Sequence, residues 1–229
     1  MLEDLKQKVC KANLELKKQN IVIYTWGNVS EIDREKKLVV IKPSGIDYSI
    51  MKPDDMVIVD LITGKVVEGK WKPSSDTATH LEIYKAFPEI GGIVHTHSKN
   101  AVSLAQAGID IKAMGTTHAD YFYGDIKCTR SLTQNEVSKD YEKNTGKVII
   151  ETIGDNDPMK IPAILVKGHG PFTWGTDCKK AVESSVVLEY IAEMAIKTEI
   201  LNKKAKLENY ILDKHYLRKH GEKAYYGQK

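Results

Sequence analysis

The sequence predicts one three-layer α/β domain, and three observations carry that prediction. Its 229 residues, 41% hydrophobic and 28% charged, suffice for one sizeable core and match no collagen-like, disordered or membrane composition. Short runs rich in β-branched residues alternate with longer stretches of helical periodicity. No internal repeat, low-complexity linker or shift in composition divides the chain, so residues 1–229 read as a single unit.

Leu2, Leu5, Val9, Ala12 and Leu16 recur at steps of three and four, the stripe of an amphipathic opening helix that ends near Asn20. Runs at 21–24, 38–41 and 56–61, bounded by Gly, Pro, Asp or Ser, read as strands. Residues 77–87 form a helix stopped by Pro88, 93–97 a buried strand, and 98–107 a helix before Gly108. Thr133 with Glu136 makes a capping box for a helix reaching about Asn144. A strand at 163–167 leads through the turn Gly168-His169-Gly170-Pro171 to a long helix over 177–203, and a short helix spans 209–219.

Charge and cysteine usage exclude several function classes. The net charge of +3 resides in 213–229, where five Lys or Arg face two acidic residues. The neutral body lacks the basic stripe of a nucleic-acid binder, and nothing supports a membrane-surface role. Cys10, Cys128 and Cys178 are odd in number and far apart, which suggests neither a disulfide framework nor a thiolate zinc site. The charged start and the longest apolar stretch, 186–196 with Glu189 and Glu193 inside it, lead us to expect a soluble, cytoplasmic protein without a targeting segment.

His95-Thr96-His97 falls at a strand end, where period-two alternation turns both imidazoles the same way. His169 sits between two glycines after another strand. Three neutral imidazoles suit zinc or a similar divalent ion and leave coordination positions open for substrate oxygens. The alternative is a core hydrogen-bonded pair and a turn-capping histidine. His80, His118, His215 and His220 have weaker claims, since none shares a strand face with the pair.

The motifs Thr25-Trp26-Gly27-Asn28-Val29-Ser30, Lys42-Pro43-Ser44-Gly45, Pro73-Ser74-Ser75-Asp76, His95-Thr96-His97, TTHADYFYG from Thr116 to Gly124, and His169-Gly170-Pro171-Phe172 together resemble the class II aldolase and epimerase family. The ending, Asp213 to Gly221 followed by Ala224-Tyr225-Tyr226-Gly227-Gln228, resembles its L-ribulose-5-phosphate 4-epimerase branch. The resemblance covers nearly the whole chain. It implies a central, mainly antiparallel sheet flanked by helices, zinc as cofactor with manganese or cobalt as substitutes, and a sugar-phosphate substrate. It also implies a homotetramer with sites between subunits, to which the tail (about 205–229) contributes.

Residue by residue, the resemblance assigns His95, His97, His169 and Asp76 to the metal. Gly27, Asn28, Lys42, Ser44, Gly45, Ser74 and Ser75 fall to the substrate phosphate. Small side chains with accessible N–H groups, two of them before a helix N-terminus, suit an anion, although ordinary turn chemistry would use the same residues. Asp76 departs from the aldolases of the family, which resemble one another in carrying Glu there. Its rival role is helix N-cap.

In such a substrate the hydrogen at C4 lies two carbons from the C2 carbonyl, so enolisation cannot invert that centre. The resemblance implies breaking the C3–C4 bond, rotating the aldehyde fragment and re-forming the bond on its other face. Two acid/base groups are then needed, one on each side. Asp120 and Tyr226 are implied, supported by Thr116, His215 and Arg218. The residue patterns alone would equally allow a turn-capping Asp120 and a surface Tyr226. Two other outcomes are kept: a sugar-phosphate aldolase that releases its fragments, and a non-catalytic adducin-like interaction module. Trp26, Trp71 and Trp174 read as core or interface residues.

Overall fold

Strands that are apolar on both faces must be covered on both sides, which dictates layers. The computed structural model, which describes residues 2–227, has the strands β1 (Asn28–Asp33), β2 (Leu38–Ile41), β3 (Val57–Asp60), β4 (Val66–Glu68), β5 (Gly92–His95), β6 (Ala163–Val166) and β7 (Gly170–Gly175). They form one sheet in the order β4-β3-β2-β1-β5-β7-β6, with every neighbouring pair antiparallel. The helices are α1 (Glu3–Lys18), α2 (Thr77–Ala86), α3 (Lys99–Ala107), α4 (Thr116–Ala119), α5 (Gln134–Ser138), α6 (Tyr141–Ile153), α7 (Cys178–Leu201) and α8 (Asn209–His220).

Alternation along the strands sorts the core. Val39, Ile41, Val57, Val59, Ile93, Ile164 and Val166 pack with Leu81 and Ile83 of α2 and Ile149 of α6. Their neighbours Leu38, Val40, Ile58 and Val94 face the other way, against Val9 and Leu16 of α1 and Cys178 and Ala181 of α7. Ala163 and Leu165 complete that second face with Ala101 and Leu104 of α3 and Leu188 of α7. The expected fold class holds: an antiparallel sheet between two helical layers.

Several boundaries differ from expectation. Residues 21–24 are not a strand: Tyr24 takes a left-handed φ of 51° and Trp26 N–H donates to Ile23 O at 3.1 Å, closing a turn. The strand follows at Asn28–Asp33, where Asn28, Ser30, Glu31 and Asp33 disguise it as polar loop. The helix expected to run from Thr133 to Asn144 breaks at Asp140, whose φ is 54°, giving α5 and a longer α6. Gly170 and Pro171 belong to β7, with the turn confined to 167–169. Gln228, the last residue of the tail motif, lies outside the described residues.

Candidate active site

Period-two alternation puts His95 on the face of Ile93, where its ring stacks on Phe172 with centroids 4.3 Å apart. Its Nδ1 donates to Pro171 O at 2.9 Å, which fixes the tautomer and leaves Nε2 bare. That Nε2 is buried without a hydrogen-bond partner. Past the strand end, exposed His97 brings its ring within 4.9 Å of His95, and His169 enters from the β6–β7 turn at 4.6 Å from His95 and 5.2 Å from His97. One ligand atom from each lies within 4.8 Å of the others, and no other such trio occurs among the described residues. Burial, then the neighbouring His95, pulls the His169 pKa down to about 4, and the same causes lower His97. Depressed pKa values at His97 and His169, with a buried, unpartnered nitrogen on His95, fit a divalent ion.

Asp76 occupies the N-cap position of α2 but makes no side-chain capping bond. Its carboxylate instead accepts from Asn28 Nδ2 at 2.7 Å. Burial opposes its charge, but His95, His80, His169 and the Asn28 bond outweigh burial and hold its pKa below the usual value. It stands beside the histidine trio without being one of the three that converge.

The three small-residue segments meet one strand away, since Asn28 is paired with His95 in the β1–β5 register. Asn28 Nδ2 also donates to Ser74 Oγ at 3.0 Å, and Ser74 N–H donates to Lys42 O at 3.0 Å. Ser44 N–H reaches Lys72 O at 2.9 Å, tying the Ser44-Gly45 turn to the Ser74-Ser75 segment. The Tyr48 hydroxyl holds the carbonyls of Trp26 and Gly27. Gly27 cannot be replaced easily: its φ is +77°, and a Cβ would lie 2.8 Å from Val22 Cγ1 and 3.0 Å from His95 O. Gly45, at φ +69°, and Ser75 face open space. Lys42 is only 1% exposed and donates to Thr25 O and Pro43 O, so it braces these segments from beneath. Burial brings its pKa down to about 8.

A second cluster forms elsewhere. Asp120, at the end of α4, accepts two bonds from Arg218 at 2.9 and 3.0 Å and is 3.0 Å from His215 Nδ1 and 3.6 Å from Lys219 Nζ. Burial would raise its pKa, but these partners outweigh it and keep the carboxyl below its ordinary value. Tyr226 N–H donates to Arg218 O at 3.2 Å, and its half-exposed ring lies under Arg218 and Lys219. Exposed Thr116 opens α4 and accepts Asp120 N–H through its carbonyl at 2.9 Å. The sequence-predicted Asp120, Tyr226, His215 and Arg218 are therefore together, but not beside their own chain's histidines. Tyr123 N–H bonds Lys160 O just before β6, whereas His169 follows β6. The four residues of β6 alone span roughly 13 Å, so the clusters lie at opposite ends of that strand.

Sequence reasoning passed over three neighbours of the histidines. The Tyr141 hydroxyl lies 3.5 Å from His169 Nδ1, Trp26 sets its half-exposed ring 5.7 Å from His97, and buried His80 stands one helical turn below Asp76. Only the last had a signal, its i,i+4 spacing on a helix. Trp174 is core as expected, while Trp26 and Trp71 are 50% and 42% exposed.

Comparison with known proteins agrees with this geometry. The structure superposes on an L-fuculose 1-phosphate aldolase with a TM-score of 0.79 at 27% identity, over 93% of this chain and 94% of that one. An L-fuculose 1-phosphate aldolase from Glaciozyma antarctica PI12 gives 0.78 at 19% identity, over 97% and 84%. A sugar-phosphate aldolase from Thermotoga maritima gives 0.67 at 18%, over 87% and 96%, and at such identities these last two likenesses speak to the fold alone. Residues 7–196 match the family described as the class II aldolase and adducin N-terminal domain, a span that includes both histidine motifs and Asp120 and stops before α8, and the chain belongs to that family.

Proposed function

We propose that this chain interconverts L-ribulose 5-phosphate and D-xylulose 5-phosphate by retro-aldol cleavage and aldol re-addition that invert C4. The observation that carries the reading is the Asp120–His215–Arg218–Tyr226 cluster, which assembles a carboxylate and a phenol at the opposite end of β6 from the histidines. A releasing aldolase needs one proton relay at the cleaved hydroxyl; inversion needs a group on each face of the aldehyde.

His95, His97 and His169 would hold the divalent ion, with Asp76 beside it, and zinc, manganese or cobalt suits the donor set. Bound there, the ion supplies Lewis-acid stabilisation of the charge that develops on the C2 oxygen. The chain's own residues do the rest. The segments at Gly27-Asn28, Ser44-Gly45 and Ser74-Ser75 grip the phosphate, so the aldehyde fragment turns without escaping. One of Asp120 and Tyr226 takes the C4 hydroxyl proton as the C3–C4 bond breaks and its electron pair passes to the C2 carbonyl. The other returns a proton to the new C4 oxygen after the bond re-forms on the opposite face. Since a single chain separates the two clusters, Asp120 and Tyr226 act on the histidines of a neighbouring subunit, in a cyclic homotetramer.

A second reading, cleavage of an L-fuculose 1-phosphate-type substrate with release of both fragments, is favoured by the likeness to an L-fuculose 1-phosphate aldolase at 27% identity. A non-catalytic adducin-like role is disfavoured by the complete set of histidines and acid/base residues. Incubation with L-ribulose 5-phosphate and zinc, manganese or cobalt separates the readings. Xylulose phosphate with little free glycolaldehyde phosphate supports the epimerase; cleavage of L-fuculose 1-phosphate without epimerisation moves the assignment to aldolase. Inertness in both assays at full metal occupancy removes both enzymes.

A further inference from the structure

Lys219 stands inside the Asp120 cluster with no part in the reaction as described. Its Nζ is 3.6 Å from Asp120 Oδ2, 4.5 Å from the centre of the Tyr121 ring and 4.6 Å from that of the Tyr226 ring. One ammonium thus meets a carboxylate and two aromatic faces, and its side chain is only 17% exposed. An ion pair alone does not account for this placement. Asp120 already takes two bonds from Arg218, at 2.9 and 3.0 Å, and one guanidinium neutralises one carboxylate. The second cation is surplus to that pair, and a lysine with no other role would carry its head out to water along its flexible stem. The ring faces offer the attraction that holds the surplus charge in place.

The two rings differ in what holds them. Tyr121 packs against the core cluster that includes Phe122, Leu165 and Leu188, so its face is fixed. Tyr226 is 60% exposed and follows the chain reversal at Gly221, where a Cβ would lie 2.7 Å from Leu217 O. Past that reversal, Tyr225 N–H and Tyr226 N–H both donate to Arg218 O, at 3.0 and 3.2 Å. These bonds tie down the backbone of 225–226 and leave the Tyr226 ring to the cations of Arg218 and Lys219. Of those two cations, Lys219 also lies on the fixed ring of Tyr121.

We propose that Lys219 is a positioning residue: clamped between the Tyr121 and Tyr226 rings and anchored on Asp120, it sets the spacing of the carboxylate and the phenol that act on the two faces of the aldehyde. The inference deepens the proposed epimerisation and rests on it for its kinetic consequence. Its first readout, the order of the tail, needs no turnover.

The test is amide hydrogen exchange over 222–227 in the full-length, metal-loaded protein. Lys219→Met keeps the apolar stem and removes the cation, so exchange there should quicken by about tenfold or more. Lys219→Arg, a cation that also lies on ring faces, should restore slow exchange. Tyr121→Leu keeps a core side chain and takes away the fixed ring, and exchange should quicken again. Wild-type exchange in Lys219→Met overturns the proposal, and wild-type exchange in Tyr121→Leu does so by reducing Lys219 to an ordinary ion pair. In kinetics, Lys219→Met should lower kcat by about tenfold with KM and metal content unmoved, since the phosphate segments and histidines are untouched. It should also release more free glycolaldehyde phosphate for each xylulose phosphate formed, because cleavage needs one acid/base group and inversion needs both. An unchanged kcat overturns the positioning role. Should Tyr121→Leu fail to fold, Lys219→Met decides alone. A wild type inert toward L-ribulose 5-phosphate would defeat the proposed reaction and leave the exchange result standing.

Discussion

The two ends of β6 carry different chemistry on different scaffolds. Beyond its last residue, His169 joins His95 and His97 at a site built from strand ends, where Pro171 O holds the His95 ring and the pKa values of His97 and His169 are depressed. Before its first residue, Asp120 is gripped by α8, a helix held by the Tyr123–Asp213 hydrogen bond and the stacking of Tyr216 between Tyr123 and His220. The first half-site is preorganised by the sheet; the second depends on ion pairs and on a half-exposed tyrosine near the chain end. In the proposed reaction, one chain would supply both halves of the mechanism without holding one complete site.

Substitutions confined to one end sharpen the contrast. The largest effect is expected from His97→Asn, which should lose metal and activity together. The charge stabilisation lost is several kcal/mol, or about a thousandfold or more in rate, checked by metal analysis beside the epimerase assay. Normal metal occupancy in that variant would mean the ligand set is misassigned. Tyr226→Phe touches only the other end: turnover should drop by about a hundredfold with metal content intact, and full turnover would remove the phenol from the mechanism.

Smaller effects probe the scaffold. Gly27→Ala forces a side chain into a left-handed backbone and against Val22 and His95 O, so thermal unfolding should report a loss of about 1–2 kcal/mol or more. An unchanged Tm would mean that the segment relaxes freely. The pH dependence follows from His169 and His80, whose pKa values of about 4 and about 3 lie below the ordinary 6.5. Between those values and 6.5 the unfolded chain binds protons that the folded chain does not. The stability they contribute is therefore complete above pH 6.5 and is lost as pH falls through 4 and then 3. The metal-free protein should show a Tm that declines below pH 6.5; a flat profile down to pH 4 contradicts the burial of these rings.

Much of the metal end was legible because its signals are local. His95 closes β5 and His97 follows two residues on, so the His-x-His pair is local even though the strand stops between them, and Gly-His-Gly-Pro announces a tight turn. The strand that carries Asn28 was hidden, because polar residues on its buried length serve hydrogen bonds, as Ser30 does for His80 and Tyr84. Tyr141 could not be found from spacing, since a left-handed Asp140 starts a new helix and swings the phenol toward His169. Nor does any motif reveal that Asp120 lies at the far end of β6; that depends on Tyr123 bonding Lys160, a contact between distant parts of the chain. Lys42, read as a charge beside phosphate, proved to brace the loops because its burial is tertiary.

The central claim is that histidines from one subunit work with Asp120 and Tyr226 from another, and mixing tests it most directly. Subunits carrying His97→Asn and subunits carrying Asp120→Asn, each inactive alone, are co-expressed in equal amounts and assayed for epimerisation. Random assembly of a cyclic tetramer gives intact histidines facing an intact tail at roughly a quarter of the sites, so about a quarter of wild-type activity should return. Mixed assemblies no more active than either parent would contradict the account.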